Sequence, residues 1–307
     1  MKVATWNVNS IRTRLHHIVS WLEANPVDVL CLQETKVMDE SFPQQPFADL
    51  GYQAYIAGQK SYNGVALLSR QPLSEVSMGF APVLGEGAID LDEQRRVITG
   101  VLDGVRILNL YVPNGSSVGS EKYAYKLRWL EALREYVQAL GGSQGGEGRR
   151  QEAEGRRQEA GGAGEAGGAE GAGEGIQHSS PLTPHSPLPT PHSLLVCGDF
   201  NIALEDIDIH DPTGREKMVM ATDLERQALQ SVLESGLSDA FRKFTVEGGH
   251  FSWWDYRAAA FRRNLGWRID HIYLTPDLYA KAIACAIDPE PRKLEQPSDH
   301  VPVWVEL

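Results

Sequence analysis

Short apolar runs, each closed by Gly, Asn, Pro or a brief polar motif, recur along most of the chain. They predict strands over residues 2–6, 27–32, 65–68, 97–102, 105–112, 194–197, 269–274 and 301–305. Helical spacing appears at residues 15–22, 123–140 and 224–233. In the second of these, Leu127, Leu130, Leu133, Val137 and Leu140 fall three or four residues apart before Gly141-Gly142 supplies a stop. Numerous strands with few helices predict an α/β sandwich, its sheets packed together, its helices outside and its function on loops at one sheet edge.

Residues 141–192 break this pattern. They begin as a Gly, Glu and Ala tract in which Glu-Gly-Arg-Arg-Gln-Glu-Ala occurs twice, at 147–153 and 154–160, and continue as a Pro, His and Ser tract. Few bulky apolar residues offset the entropy of ordering, and Pro181, Pro184, Pro187, Pro189 and Pro191 block regular pairing, so disorder is expected. His178, His185 and His192 are read as solvated linker rather than a metal-capturing set. Polar motifs lie on both sides of the tract. The reading is therefore one catalytic domain over 1–307, interrupted by a low-complexity insertion at 141–192. A chain lacking 141–192 is expected to fold and cleave like the full chain; loss of most activity on deletion would overturn this.

At 307 residues and 42% hydrophobic content, the chain can bury a large core without staples. It has no apolar run near the roughly 20 residues of a membrane helix and no signal-peptide core at its start, so a cytoplasmic protein without a membrane partner is expected. Cys31, Cys197 and Cys285 lie in apolar runs without C-x-x-C spacing, which fits buried, reduced thiols. A net charge of −12 argues against indiscriminate nucleic-acid binding. Acids gathered around a cation would contribute to that charge, so a DNA substrate stays open.

The candidate chemistry lies where the apolar runs end. Asn7, Gln33-Glu34-Thr35, Gly198-Asp199-Phe200-Asn201 and Ser298-Asp299-His300 combine carboxylates, an amide and an imidazole, a set suited to a hard cation such as Mg2+ and to phosphodiester cleavage. Asp199 and Asn201, two apart on an extended backbone, would face one side, the acid taking a proton and the amide holding a water or phosphate oxygen. An Asx turn after a strand is the alternative. Glu34 is either a well-held metal ligand or a loop cap. His300 is either a capping residue or a charged imidazole that Asp270, from Arg268-Ile269-Asp270-His271, orients through its ring N–H.

Taken with Tyr111-Val112-Pro113-Asn114 and Trp267-Arg268-Ile269-Asp270, these motifs resemble the signature of the exonuclease III and abasic-site endonuclease family. The resemblance spans the chain except 141–192. Segments 9–14 and 251–257 distinguish it from other metal phosphoesterases of the wider endonuclease, exonuclease and phosphatase superfamily. It implies a four-layered α/β sandwich of two mixed sheets with helices outside (DNase I-like), and a Mg2+-dependent DNA-repair hydrolase, with Mn2+ as substitute. The substrate implied is double-stranded DNA with abasic sites or 3' ends, incised 5' to the lesion or trimmed 3' to 5' by a monomer.

Carried over by position, Glu34 is the principal metal ligand with Asn7 and Asp299 nearby, and Asp199 with Asn201 activates water or forms a second metal position. Tyr111, Asn114 and His300 contact the scissile phosphate, and Asp270 orients His300. Trp253, Trp267 and Ile269 would enclose an extrahelical sugar, although filling the core is the plainer use of two tryptophans. Arg12, Arg14, Lys36, Lys126, Arg128 and Arg257 are candidate backbone-phosphate contacts. Two rivals remain: a superfamily relative acting on a phospholipid, an inositol phosphate or RNA tails, and a catalytically silent DNA-binding scaffold.

Overall fold

The computed structural model describes residues 1–141 and 193–307, so the expected disorder of 141–192 lies, apart from Gly141, outside the described residues. The described residues form two six-stranded sheets. The first contains β1 (Lys2–Asn7), β2 (Val29–Gln33), β3 (Gln53–Ala57), β4 (Val65–Ser69), β11 (Ala284–Ile287) and β12 (Val303–Glu306), in the order β11-β12-β1-β2-β4-β3. The second contains β5 (Ser74–Met78), β6 (Val97–Leu102), β7 (Val105–Tyr111), β8 (Ser193–Asp199), β9 (Ser238–Asp239) and β10 (Asp270–Leu274), in the order β5-β6-β7-β8-β10-β9. Parallel pairing of β1 with β2 and of β7 with β8 makes both sheets mixed.

Side-chain alternation along each strand sorts residues into layers. Val3, Val29, Cys31, Leu195, Cys197, Ile272 and Val303 face the space between the sheets. Ala4, Trp6, Leu30 and Leu32 face outward, onto Ile18, Trp21 and Leu22 of the helix Ile11–Ala24. Leu108, Leu110, Val196 and Tyr273 on the other sheet meet Trp129, Leu133 and Val137 of Glu121–Leu140 and Leu229 of Asp223–Leu233. The result is helix, sheet, sheet, helix: the expected four layers. The three cysteines are free and buried. No helix among the described residues is long and apolar enough to cross a membrane.

At one end of the inter-sheet core the apolar alternation gives way to a polar cluster. Gln33 Nε2 donates to Thr5 Oγ1 at 2.8 Å and Asn109 Oδ1 at 2.6 Å, and Asn109 Nδ2 donates to the carbonyls of Leu32 and Ala66. All three side chains are fully buried. Hydrogen bonds that span two sheets fix their relative position more specifically than apolar contact does. Asn7, Glu34 and Tyr111 follow within two residues of these three, so the clamp sits beside the polar motifs.

Several expectations need correction. β3, β5, β9 and β11 were not predicted: β5 is largely exposed and polar, and β9 spans two residues, so neither shows a clear alternation. The short helices Ala240–Phe244 and Pro276–Lys281 fall below the length at which a 3.6-residue period is visible. The last strand begins at Val303 rather than 301, because the Val301 N–H bonds the Ser252 carbonyl.

Lys126 is no phosphate contact. It is fully buried and its Nζ lies 2.5 Å from Glu225, where it also donates to the carbonyls of Asn114 and Asn201. Glu225 in turn closes a capping box with Thr222. Arg128 pairs on the surface with Asp90, Arg257 with Asp255, and Arg14 reaches the carbonyls of Asn9 and Pro297. Arg12 is exposed on the first turn of Ile11–Ala24.

Candidate active site

The polar motifs meet where strands of both sheets end. Asn7 and Glu34 come from the ends of β1 and β2, Tyr111, Asp199 and Asp270 from the ends of β7, β8 and β10. Asn7 is the bridge, its Nδ2 donating to Glu34 Oε1 at 2.9 Å and to Asp199 Oδ2 at 2.8 Å. The loop preceding β12 adds His300, whose Nδ1 lies 2.8 Å from Asp270 Oδ2 and whose Nε2 lies 3.7 Å from Asp199 Oδ2. That loop is tied down by Trp6 Nε1 on the His300 carbonyl and by Ser298 Oγ on the Asn7 carbonyl.

The local backbone is unusual. Asn9, Ser10, Glu34, Lys36 and Asn201 all have positive φ, between 44° and 97°, a conformation that non-glycine residues hold only when their surroundings dictate it. This corrects the reason given for Asp199 and Asn201. Extended periodicity does not align them, because β8 stops at Asp199 and Asn201 has φ of 50°. An Asx turn brings them together, with the Asn201 N–H on Asp199 Oδ1 at 2.9 Å and Asn201 Nδ2 3.3 Å from Asp199 Oδ2. The turn and the polar site are one arrangement.

Charge states follow from the surroundings. Burial, with the nearby charges of Asp270 and Glu34, raises the Asp199 carboxyl to about 7, although His300 and Asn7 oppose the shift. Burial disfavours a charged His300, but Asp270 and Asp199 outweigh it and lift the imidazole to about 10. These shifts favour the imidazolium form of His300, with Asp270 on one side of the ring and Asp199 on the other. Burial also acts against ionised Glu34, yet Lys36 and Asn7 hold it below the usual carboxylate range. Burial, followed by the Glu34 charge, keeps the Tyr111 phenol protonated far above neutrality, so it remains a hydrogen-bond donor.

Ligand atoms of Asp199, Asp270 and His300 lie within 4.8 Å of one another, close enough for a metal ion. The 2.8 Å contact of His300 Nδ1 with Asp270 Oδ2 favours a hydrogen-bonded relay at that spot. Glu34, Asp199, Asp270 and Asp299 together present more negative charge than His300 and Lys36 offset. Such an oxygen-rich, acidic set fits a hard divalent cation.

Asp299 accepts from Asn9 Nδ2 at 2.9 Å and from Trp253 Nε1 at 3.0 Å. Asn114 Nδ2 donates to Asn201 Oδ1 at 2.9 Å. Lys36 pairs with Glu34. Trp267 and Ile269 pack with Ala203, Ile209 and Met220, and Trp253 lies against them. Trp253 and Trp267 also line an open apolar cavity of about 530 Å³ beside the site, so filling the core and walling a pocket are both accomplished by the same rings.

Sequence reasoning missed Ser252, Asn9 and Arg96. Ser252 Oγ donates to Asp270 Oδ2 at 2.6 Å and accepts from the N–H groups of Ile269 and Asp270, fixing the acid that holds His300. Arg96 stacks on the Tyr111 ring at 4.5 Å and donates to the Tyr111 carbonyl. Asn9 and Ser252 lie within segments quoted for the resemblance, which was the available signal. Arg96 carries no motif of its own.

The profile of the Endonuclease/Exonuclease/phosphatase family matches residues 4–300. Exodeoxyribonuclease III of Haemophilus influenzae is 30% identical over 319 aligned positions, covering 100% of both chains. Two similar solved structures each cover 100% of this chain and are themselves covered to 99%. One is a 3' phosphatase from Neisseria bound to a product DNA hairpin, at 35% identity and a TM-score of 0.79. The other is an AP endonuclease from Archaeoglobus fulgidus, at 34% and 0.78. With a match along nearly its entire length and the site motifs assembled in one place, the chain belongs to the endonuclease/exonuclease/phosphatase family, as a hydrolytic nuclease.

Proposed function

We propose that the protein is a Mg2+-dependent DNA-repair nuclease that incises duplex DNA 5' to abasic sites and trims 3' ends, acting as a cytoplasmic monomer. The observation that carries this reading is the His300 ring held between Asp270 and Asp199, with Asn7 linking Asp199 to Glu34. Glu34, with Asn7 and Asp299 close by, would hold the cation, and Asp199 with Asn201 would form a second position if two ions bind. The bound cation supplies Lewis-acid stabilisation of charge on phosphate.

The chain's own groups supply the rest. Asp199, raised toward neutrality, orients a water and takes its proton as the water's oxygen attacks phosphorus, while the bond from phosphorus to the 3' oxygen breaks and that oxygen takes up a proton to become a 3'-hydroxyl, leaving a 5'-phosphate. Asn201 and Asn7 keep the Asp199 carboxylate in register. The His300 ring donates from Nε2 to a phosphate oxygen, where negative charge grows in the transition state, and Asp270 with Ser252 prevents the ring from turning. Tyr111 donates its phenol proton in a hydrogen bond to the same phosphate, and Asn114 contacts it through its amide. Trp253 and Trp267 would receive a sugar that carries no base, with Ile269 buried behind them rather than on the cavity wall, and Arg12 would contact a flanking phosphate.

The test uses an end-labelled duplex with one synthetic abasic site beside an intact duplex. Metal-dependent incision immediately 5' to the lesion is expected, abolished by EDTA and in Glu34→Ala. Trimming without incision would make the protein chiefly an exonuclease. No cleavage of either DNA would move the substrate to another phosphodiester.

A further inference from the structure

Lys36 follows Glu34 by two residues, and both have left-handed backbones, with φ of 57° and 52°. The turn is held by the N–H groups of Thr35 and Lys36 on the carbonyls of Gly64 and Asn63, and by the Ser61 N–H on the Lys36 carbonyl. This backbone path sends the Lys36 side chain back toward Glu34. Its Nζ lies 2.8 Å from Glu34 Oε2 and 2.5 Å from Asn9 Oδ1. Asn9 in turn donates to Asp299 Oδ1 through its Nδ2. The ammonium thus touches the carboxylate read above as the principal metal ligand, and is one amide away from a second acid of the set.

An ammonium hydrogen-bonded to a carboxylate oxygen and a divalent cation coordinating that carboxylate seek the same lone pairs. They also repel one another across a few ångströms in a site where solvent screens poorly, since the Lys36 side chain is 28% and the Glu34 side chain 17% exposed. We propose that Lys36 is a tethered competitor for the divalent cation, its ammonium holding Glu34 Oε2 and thereby setting how tightly the metal binds. This rests on the reading of Glu34 as a metal ligand. A backbone-phosphate contact alone would give Lys36 no influence on metal affinity in the absence of DNA, and a purely supporting role for Glu34 would make its removal weaken the metal.

The decisive experiment is calorimetric titration of MgCl2 into the full chain after dialysis against EDTA, without DNA. The forms compared are the parent, Lys36→Met, Lys36→Arg and Glu34→Gln, with thermal melts to confirm folding. Lys36→Met removes the charge and keeps most of the length, and should bind Mg2+ roughly tenfold more tightly. Lys36→Arg keeps a cation on Glu34 and should bind no more tightly than the parent. Unchanged or weaker Mg2+ binding by a folded Lys36→Met protein would overturn the proposal. If Glu34→Gln binds Mg2+ like the parent, the ligand reading itself fails, a result distinct from failure of the competitor alone.

Discussion

Replacing Asp199 with asparagine is expected to leave a folded, DNA-binding protein whose cleavage rate falls by roughly 10²–10⁴-fold, the range for loss of a positioned general base. The substitution keeps size and shape, and Oδ1 can still accept the Asn201 N–H. It removes the group that would take the water's proton and one of two carboxylates that hold His300 charged. It also sets an amide N–H or a neutral carbonyl where the Asn7 amide donates to Oδ2. Single-turnover cleavage of the abasic duplex, with melting temperature and DNA affinity measured in parallel, checks this. A variant that cuts as fast as the parent would show that Asp199 is not the group that takes the water's proton.

The largest effect on stability is expected at the neighbouring position. Gly198 has φ of 140°, and a Cβ built there would stand 1.9 Å from the Leu110 carbonyl oxygen. That oxygen belongs to the adjoining parallel strand β7, paired in register with Gly198, so it cannot move without opening the centre of the second sheet. Gly198→Ala should cost about 3 kcal/mol or more, from backbone strain added to the clash, which lowers the melting temperature by roughly 5–10 °C. Gly87→Ala is the control, since a Cβ there meets nothing within 4 Å and its φ is not positive. Equal melting temperatures for the two variants would refute the argument.

Gly198 also shows where reading the chain reached its limit. The G-D-F-N motif was legible, as were the strands that flank it, because burial on both faces imposes apolar runs and turns impose their own residues. The reason for the glycine was not legible: it lies in the distance to Leu110, far away in sequence. Lys126 is a second case. On a helix otherwise patterned for one buried face it reads as a surface cation, and its burial depends on Glu225, ninety-nine residues away. Asp199 and Asn201 are a third, where the right pair was named with the wrong backbone reason.

What the sequence determined by itself was the class of fold, the buried free cysteines and the set of acids, amides and imidazole that would meet, because each depends on short-range pattern or residue chemistry. Tertiary structure decided the rest. Which side chain bridges the two sheets, which cation is buried, how Ser252 secures Asp270 and why Lys36 faces Glu34 all depend on contacts between segments distant in the chain. Such contacts are governed by packing, positive-φ turns and competition for hydrogen bonds, none of which leaves a local period to read.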